Sequence, residues 1–158
     1  MALNNRTLAA GAALLLVGTL GRSAASPPQR TAERGVRRAL IRLNTLLAAR
    51  DRALVDEFLK GEETILVGLT AADTARGRTA IEAHIAEVFA QPETLGFAWR
   101  QVEVVVRGTL AILHAEGEAV FKGEAGERRE PYRLTGVLEP DHGKWKWRLF
   151  HGSKPAAA

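Results

Sequence analysis

The feature that most constrains the fold is a change in hydrophobic period after Pro92. Before that residue, apolar positions recur at three- and four-residue spacing, which predicts helices. After it, apolar and polar residues alternate along four segments, WRQVEVVVRG, TLAILHAEGEAVFKG, EPYRLTGVL and KWKWRLFHGS, which predicts four strands. Because no helical segment separates these strands, a parallel doubly wound sheet is excluded. This order, helical segments first and strands after them, favours an α+β fold in which helices cover one face of a curved, mostly antiparallel sheet.

Three helices are predicted in the first half of the chain. The first begins at Thr31, the second follows Asp51 and ends at Gly61, and the third opens with a capping box formed by Thr79 and Glu82. The segment TILVGLT, between the second and third helices, is predicted to be a strand, and AADTARGR is predicted to be a loop.

The first 25 residues have the layout of a secretory signal peptide, with MALNNR, the apolar run LAAGAALLLVGTLG and the small-residue site SAAS in succession. The apolar run has about 14 residues, fewer than the ~20 that span a bilayer, so cleavage after Ala25 is favoured over a retained anchor. We therefore expect an exported protein, periplasmic or secreted, with no stable membrane span after cleavage. The other predicted divisions are a linker at 26–30, one domain at 31–155 and a tail at 156–158.

Cysteine content and charge narrow the protein class further. The chain has no cysteine, so an exported form must rely on its apolar core rather than on disulfides. The formal charge of +4 falls to +2 (20 basic residues against 18 acidic) once Arg6 and Arg22 leave with the signal peptide. No basic run is interleaved with aromatic residues, so no nucleic-acid partner is expected.

The last predicted strand carries an unusual aromatic pattern. One face carries four mainly apolar side chains, those of Trp145, Trp147, Leu149 and His151. The other face carries Lys146, Arg148 and Phe150. The first set is expected to face inward, where the two tryptophans either line a pocket for an apolar or aromatic ligand or simply fill the core. Trp99 is a third candidate for the pocket wall.

The segments ARDRALVDEFL, ILVGL, GRTAIEAHI and RLTGVLEPDHGKWKWRLFHGSKP resemble the SnoaL-like and ketosteroid-isomerase-like proteins of the nuclear transport factor 2-like superfamily. The resemblance covers about residues 31 to 155. It implies a cone-shaped α+β barrel with three N-terminal helices packed on the sheet, and a homodimer formed through that sheet. Because this superfamily contains isomerases, cyclases, dehydratases, epoxide hydrolases and non-catalytic members, the resemblance leaves the function open.

Three residues near the C-terminus are candidates for catalysis. His151, on the predicted inward face, would serve as a general base or acid, or as a structural histidine. Arg133 and Tyr132 are alternatives, because strand parity lets only one of them face inward. Arg133 would bind a carboxylate or enolate oxygen, and Tyr132 would donate from its phenol.

Other polar residues are weaker candidates. His114 and Glu116 share a strand face, but no third ligand stands at useful spacing, so no metal site is predicted. His114 is instead a candidate for ligand contact, as is His84 at the edge of the apolar stripe of the third helix. Asp73, in the loop TAADTARG, is the carboxylate nearest the expected opening, and His142 is expected in an exposed turn.

Two functional hypotheses follow. The first is a pocket for a small apolar or aromatic molecule, with cofactor-free proton transfer of the isomerase, lyase or cyclase type if the protein is catalytic. The second is a non-catalytic association module in which Lys146, Arg148 and Phe150 pair two copies and the pocket is vestigial. The carboxylate, tyrosine and protonated acid used by ketosteroid isomerases have no counterparts at the matching positions, which leaves catalysis itself undecided.

Overall fold

The computed structural model describes residues 26–70 and 73–155. Two α-helices and one short 3-10 helix occupy the first half of that part: α1 is Pro27–Ala48, the 3-10 helix is Arg52–Glu57 and α2 is Gly77–Phe89. The described strands are β1 (Ile65–Val67), β2 (Thr74–Arg76), β3 (Thr94–Arg107), β4 (Leu110–Gly123), β5 (Gly126–Asp141) and β6 (Lys144–Ser153).

The described strands form a single curved sheet in the order β2-β1-β6-β5-β4-β3. All neighbours are antiparallel except β1 and β6, which are parallel. The predicted α+β class and the mostly antiparallel sheet are therefore confirmed. The sheet is not closed into a barrel, because β2 and β3 remain as its two edges.

The start of α1 corrects the predicted linker at 26–30. Ser26 is the N-cap, its hydroxyl accepts from the Gln29 N–H, and the Gln29 side chain accepts from the Ser26 N–H at 2.8 Å. Pro27 occupies the first helical position, where its missing N–H costs nothing and its fixed φ suits the helix. The proline-rich segment is therefore the first turn of the helix rather than a linker.

The start of α2 corrects the predicted capping box. The helix begins at Gly77, two residues before Thr79, and its N-cap Arg76 makes no side-chain capping bond. The preceding residues form β2, which pairs with β1 and occupies positions 74–76 of the predicted loop. Gly77 has a φ of 72°, a conformation that glycine adopts without steric cost, so the chain passes directly from β2 into α2.

The core lies between α1 and the concave face of the sheet. Helix α1 buries Val36, Ala39, Leu40, Leu43 and Leu47. The alternating β4 residues Ala111, Leu113, Ala115 and Ala119 are also buried, as predicted. Three of these four side chains are alanines, which take up little space on the buried face of the sheet.

A bulge in β6 reverses the predicted facing of its second half. The pairing with β5 changes from Val137–Leu149 to Leu138–Trp147. Arg148 is therefore the extra residue of the bulge and has no pairing partner on β5. Beyond the bulge, Phe150 is buried on the concave side and His151 is exposed. The prediction that His151 faces inward with the tryptophans is therefore wrong.

Ion pairs hold this bulge and also overturn the predicted association surface. Arg148 Nε lies 2.7 Å from Glu139 Oε1, and Arg148 Nη1 lies 2.6 Å from Glu63 Oε1. Lys146 Nζ pairs with an Asp141 carboxylate oxygen at 2.8 Å. Since Phe150 is buried and the side chains of Lys146 and Arg148 are only 17% and 22% exposed, these residues do not form a free surface for a second copy.

The two tryptophans of β6 pack against glycines. Trp147 is fully buried, and a Cβ on Gly136 of β5 would collide with its ring. A Cβ on Gly35 of α1 would lie 2.5 Å from Trp145 Cδ1. The tryptophans therefore fix β6 against its neighbouring strand and against α1.

No helix in the described ranges is long and apolar enough to cross a membrane. The predicted signal peptide (1–25) and tail (156–158) lie outside these ranges, so export stays a prediction.

Candidate functional site

A cavity of about 250 Å³ lies between the helices and the concave face of the sheet. Most of its lining is apolar and comes from α1, α2 and five of the strands, all except β2. Representative lining residues are Leu43, Leu47, Ile85, Phe97, Phe121 and Phe150. Such a cavity favours an apolar ligand body, and a few polar groups would set the orientation of that ligand.

Tyr132 is the buried polar residue of this lining. It lies on β5 and faces inward, and its ring stacks on Phe97 with the ring centres 4.8 Å apart. Among residues 26–70 and 73–155, no group forms a hydrogen bond with its hydroxyl. The hydroxyl fits against Gly152, where a Cβ would collide with it. Burial raises the pKa of Tyr132, so the phenol stays neutral and can donate a hydrogen bond.

Asp73 and His84 lie at the side of the cavity bounded by α2 and the β1–β2 connection. The Thr70 N–H donates to Asp73 Oδ2 at 2.9 Å. Hydrogen bonds from the Thr70 side chain and backbone lower the pKa of Asp73, and the positive charge of His84 lowers it further. The result is an ionised carboxylate at the edge of the cavity, close to the His84 imidazole.

Glu130 and Lys154 line another part of the cavity, where β5 and β6 approach solvent. Lys154 Nζ lies 2.8 Å from Glu130 Oε2. Arg128 also binds Glu130, lies 3.7 Å above the centre of the Phe121 ring and pairs with Glu93 at 2.8 Å. Hydrogen bonding to Lys154 lowers the pKa of Glu130, and the charges of Lys154 and Arg128 lower it further.

Comparison with known families decides the identity of this fold. Residues 36–157 match the family of SnoaL-like domains. The chain belongs to this family. A search of curated proteins found no match.

Solved structures of the nuclear transport factor 2-like superfamily share the fold of this SnoaL-like domain. A dehydratase candidate from Streptomyces avermitilis is 18% identical, with 81% of this chain and 99% of that one covered and a TM-score of 0.73. A scytalone dehydratase candidate from Novosphingobium aromaticivorans is 13% identical, with 80% and 86% covered and a TM-score of 0.70. A candidate association domain of the calcium/calmodulin-dependent protein kinase type II kind, from Thiobacillus denitrificans, is 18% identical, with 75% and 93% covered and a TM-score of 0.62.

The tryptophans predicted as ligand walls lie elsewhere in the SnoaL-like domain. Trp147 belongs to the core, and half-buried Trp145 lines a separate groove at the start of α1. Trp99 stacks on Phe97 at 5.0 Å, behind the aromatic wall of the cavity. Core filling is therefore the better interpretation for Trp147. Trp99 lies close to Tyr132, with the ring centres 6.2 Å apart.

Several other predicted residues lie on the outer face of the sheet. Arg133 Nε pairs with Glu116 Oε1 at 3.0 Å, so strand parity selects Tyr132 for the interior. His114 Nδ1 lies 3.2 Å from the Thr135 hydroxyl oxygen, and His151 stands opposite Thr135 on β6. His114 and His151 therefore do not reach the cavity, whereas His84 does. Across the described residues there is no cluster of three metal-binding side chains.

Glu130 and Lys154 are site residues that were not predicted from the sequence. Glu130 could have been found from parity, because it stands two residues before Tyr132 on the same strand and so shares its face. Lys154 could not, since its facing depends on the bulge at Arg148. A bulge of this kind leaves no periodicity signal in a short strand.

Tyr132 is the only tyrosine of the chain, so its ionisation can be followed without interference from other phenols. We expect the native protein to develop no tyrosinate absorbance as the pH passes 10.0, the ordinary value for the phenol. Because the folded pKa is raised, Tyr132 contributes stability that is fully present below the unfolded pKa and is lost as the pH rises above it. Stopped-flow alkaline titration with circular dichroism should show ionisation coinciding with unfolding. Ionisation near 10.0 in the folded protein would contradict the burial of this side chain.

Proposed function

We propose that this SnoaL-like domain binds a small, mostly apolar molecule in the cavity and holds a polar oxygen of that molecule against Tyr132. The observation that carries this proposal is the Tyr132 phenol at the cavity wall, on a buried side chain whose hydroxyl has no hydrogen-bond partner among the described residues. A neutral phenol hydroxyl can donate one hydrogen bond, and the described residues leave that donor unused. A ligand oxygen would supply the missing partner.

The size of the cavity supports a compact ligand. Its volume of about 250 Å³ lies just below the roughly 300–1,000 Å³ typical of ligand pockets. The aromatic side chains of Phe97, Phe121 and Phe150 offer flat surfaces for a ring. A molecule with one or two rings fits this volume and lining.

The polar groups support cofactor-free proton transfer as the chemistry. A neutral Tyr132 donates to a carbonyl oxygen and stabilises the negative charge that develops there when a neighbouring carbon loses a proton. His84 replaces His151 as the proposed base, because His84 lines the cavity and has the carboxylate of Asp73 nearby. The dehydratase candidates among the structural relatives agree with chemistry of this class.

Tyr132→Phe tests this proposal by removing only the hydroxyl. Tryptophan emission, to which nearby Trp99 contributes, would be titrated with aromatic ketones in the wild type and the variant. We expect saturable binding in the wild type and about 5- to 10-fold weaker binding in Tyr132→Phe, the usual effect of losing one hydrogen bond of about 1 kcal/mol.

Arg133→Ala is the matched control, because Arg133 is the next residue on the same strand and faces the opposite side of the sheet. This variant should bind with wild-type affinity. Absence of binding by the folded wild type, or equal weakening by both substitutions, would count against the cavity as the site.

A second candidate function is self-association through the outer face of the sheet. The pairing register aligns an apolar row across four strands, formed by Val105, Ile112, Val137 and Leu149. Val105 and Ile112 are 45% and 52% exposed, which is unusual for side chains of this size. We call this set the outer apolar row.

A second copy of the chain is the occupant that suits the outer apolar row best. The exposed Glu116–Arg133 pair lies on the same face, so two copies related by a two-fold axis could exchange these opposite charges. The association-domain candidate with the same fold favours a role of this kind. A homodimer formed in this way leaves the cavity on the concave face accessible.

Ile112→Lys tests the association, because it places a charge at the centre of the outer apolar row. We expect sedimentation velocity to show a dimer for the wild type and a monomer for the variant. Ile41→Lys is the control, since Ile41 is 63% exposed but lies on α1 rather than on the sheet. A wild-type monomer, or an Ile112→Lys dimer, would overturn this second candidate.

A further inference from the structure

We propose that the ligand of the cavity is an anion whose carboxylate binds Lys154 at the cavity mouth while its carbonyl oxygen accepts from Tyr132. This inference rests on the proposed function and names the substrate class. The chemical class is a small aromatic or alicyclic keto acid, with an apolar ring in the interior and the carboxylate at the edge of solvent.

One strand arranges these contacts in order. Alternate β5 residues Arg128, Glu130, Tyr132 and Leu134 share the concave face and pass from exposed, through half-buried, to fully buried. Successive members are about 7 Å apart along the strand. The face therefore changes from charged to hydrogen-bonding to apolar within a distance that a small keto acid spans.

Lys154 is the cation that can turn to a ligand. Its ammonium group pairs only with Glu130 among the described residues, and its side chain is 54% exposed. Exposed pairs of this kind are weak, because water competes for both partners. Glu130 also pairs with Arg128, and it keeps this partner when Lys154 moves. A ligand carboxylate can therefore bind Lys154 without leaving the Glu130 carboxylate unpaired.

The other charged groups at the cavity mouth, Arg128 and Glu130, are less suited than Lys154 to bind a charged end of the ligand. Arg128 is held by both carboxylate oxygens of Glu93, at 3.2 and 2.8 Å, and by the Phe121 ring. Glu130 accepts from two cations and is therefore a poor site for a ligand amine. An acid is consequently favoured over an amine as the charged end of the ligand.

Benzoylpropanoate and its methyl ester test this assignment as a matched pair of probes, since the ester replaces the negative charge at the end with one methyl group. We expect the wild type to bind the acid about three- to fivefold more tightly than the ester, the effect of one exposed ion pair, with the difference decreasing as salt is added. Lys154→Ala should lose this preference and Lys154→Glu should reverse it, while ester affinity stays within twofold of the wild type.

Lys122→Ala is the control, because Lys122 is also an exposed lysine paired with a glutamate, 3.3 Å from Glu127, but does not line the cavity. It should retain the full preference for the acid. Equal binding of acid and ester by the wild type, or an unchanged preference in Lys154→Ala, would overturn the anion assignment and leave the proposed function standing. Binding of neither probe would overturn both.

Discussion

The Arg148 bulge in β6 is the constraint on which the rest of the structure depends. Without it, strand alternation would carry the inward face from Trp147 through Leu149 to His151. The bulge instead brings Phe150 and Gly152 inward and sends His151 out. Glu139 and Glu63 hold the Arg148 guanidinium from two sides, and the Thr64 hydroxyl accepts from it at 3.2 Å. The ion pairs of Arg148 thus hold the bulge in place, and the bulge sets which side chains of β6 face the interior.

This bulge divides the concave face into a filled end and an open end. On the side toward the β5–β6 turn, Trp147 and Trp145 fill the space beside Gly136 and Gly35, so the interior there is solid. On the other side, Phe150 and Gly152 stand beside Tyr132, and a glycine at position 152 leaves room for the phenol. The cavity lies at this second end. The tryptophans therefore contribute stability at the filled end, and Tyr132, His84 and Lys154 are the residues that we propose as ligand contacts.

Most of the fold could be predicted from the hydrophobic period, and most of the site could not. The alternation in β4 is regular because Ala111, Leu113 and Ala115 all face the core that the helices cover, so burial follows the pattern of the sequence. In β5 the choice between Tyr132 and Arg133 was open, since both side chains can face either way until neighbouring strands fix the register. His84 was found as an edge residue of its helix, whereas Lys154 depends on a bulge that arises from tertiary ion pairs.

A crystal structure of residues 26–158 determined under xenon pressure tests the open end of the sheet most directly. Xenon binds preferentially in dry apolar cavities, so it reveals such a cavity whatever the natural ligand is. We expect a xenon atom in contact with Phe97, Ile85 and Phe150, next to the Tyr132 ring. A xenon-free interior packed with side chains, or xenon only in the groove beside Trp145, would contradict the claim that the open end of the sheet is the ligand site.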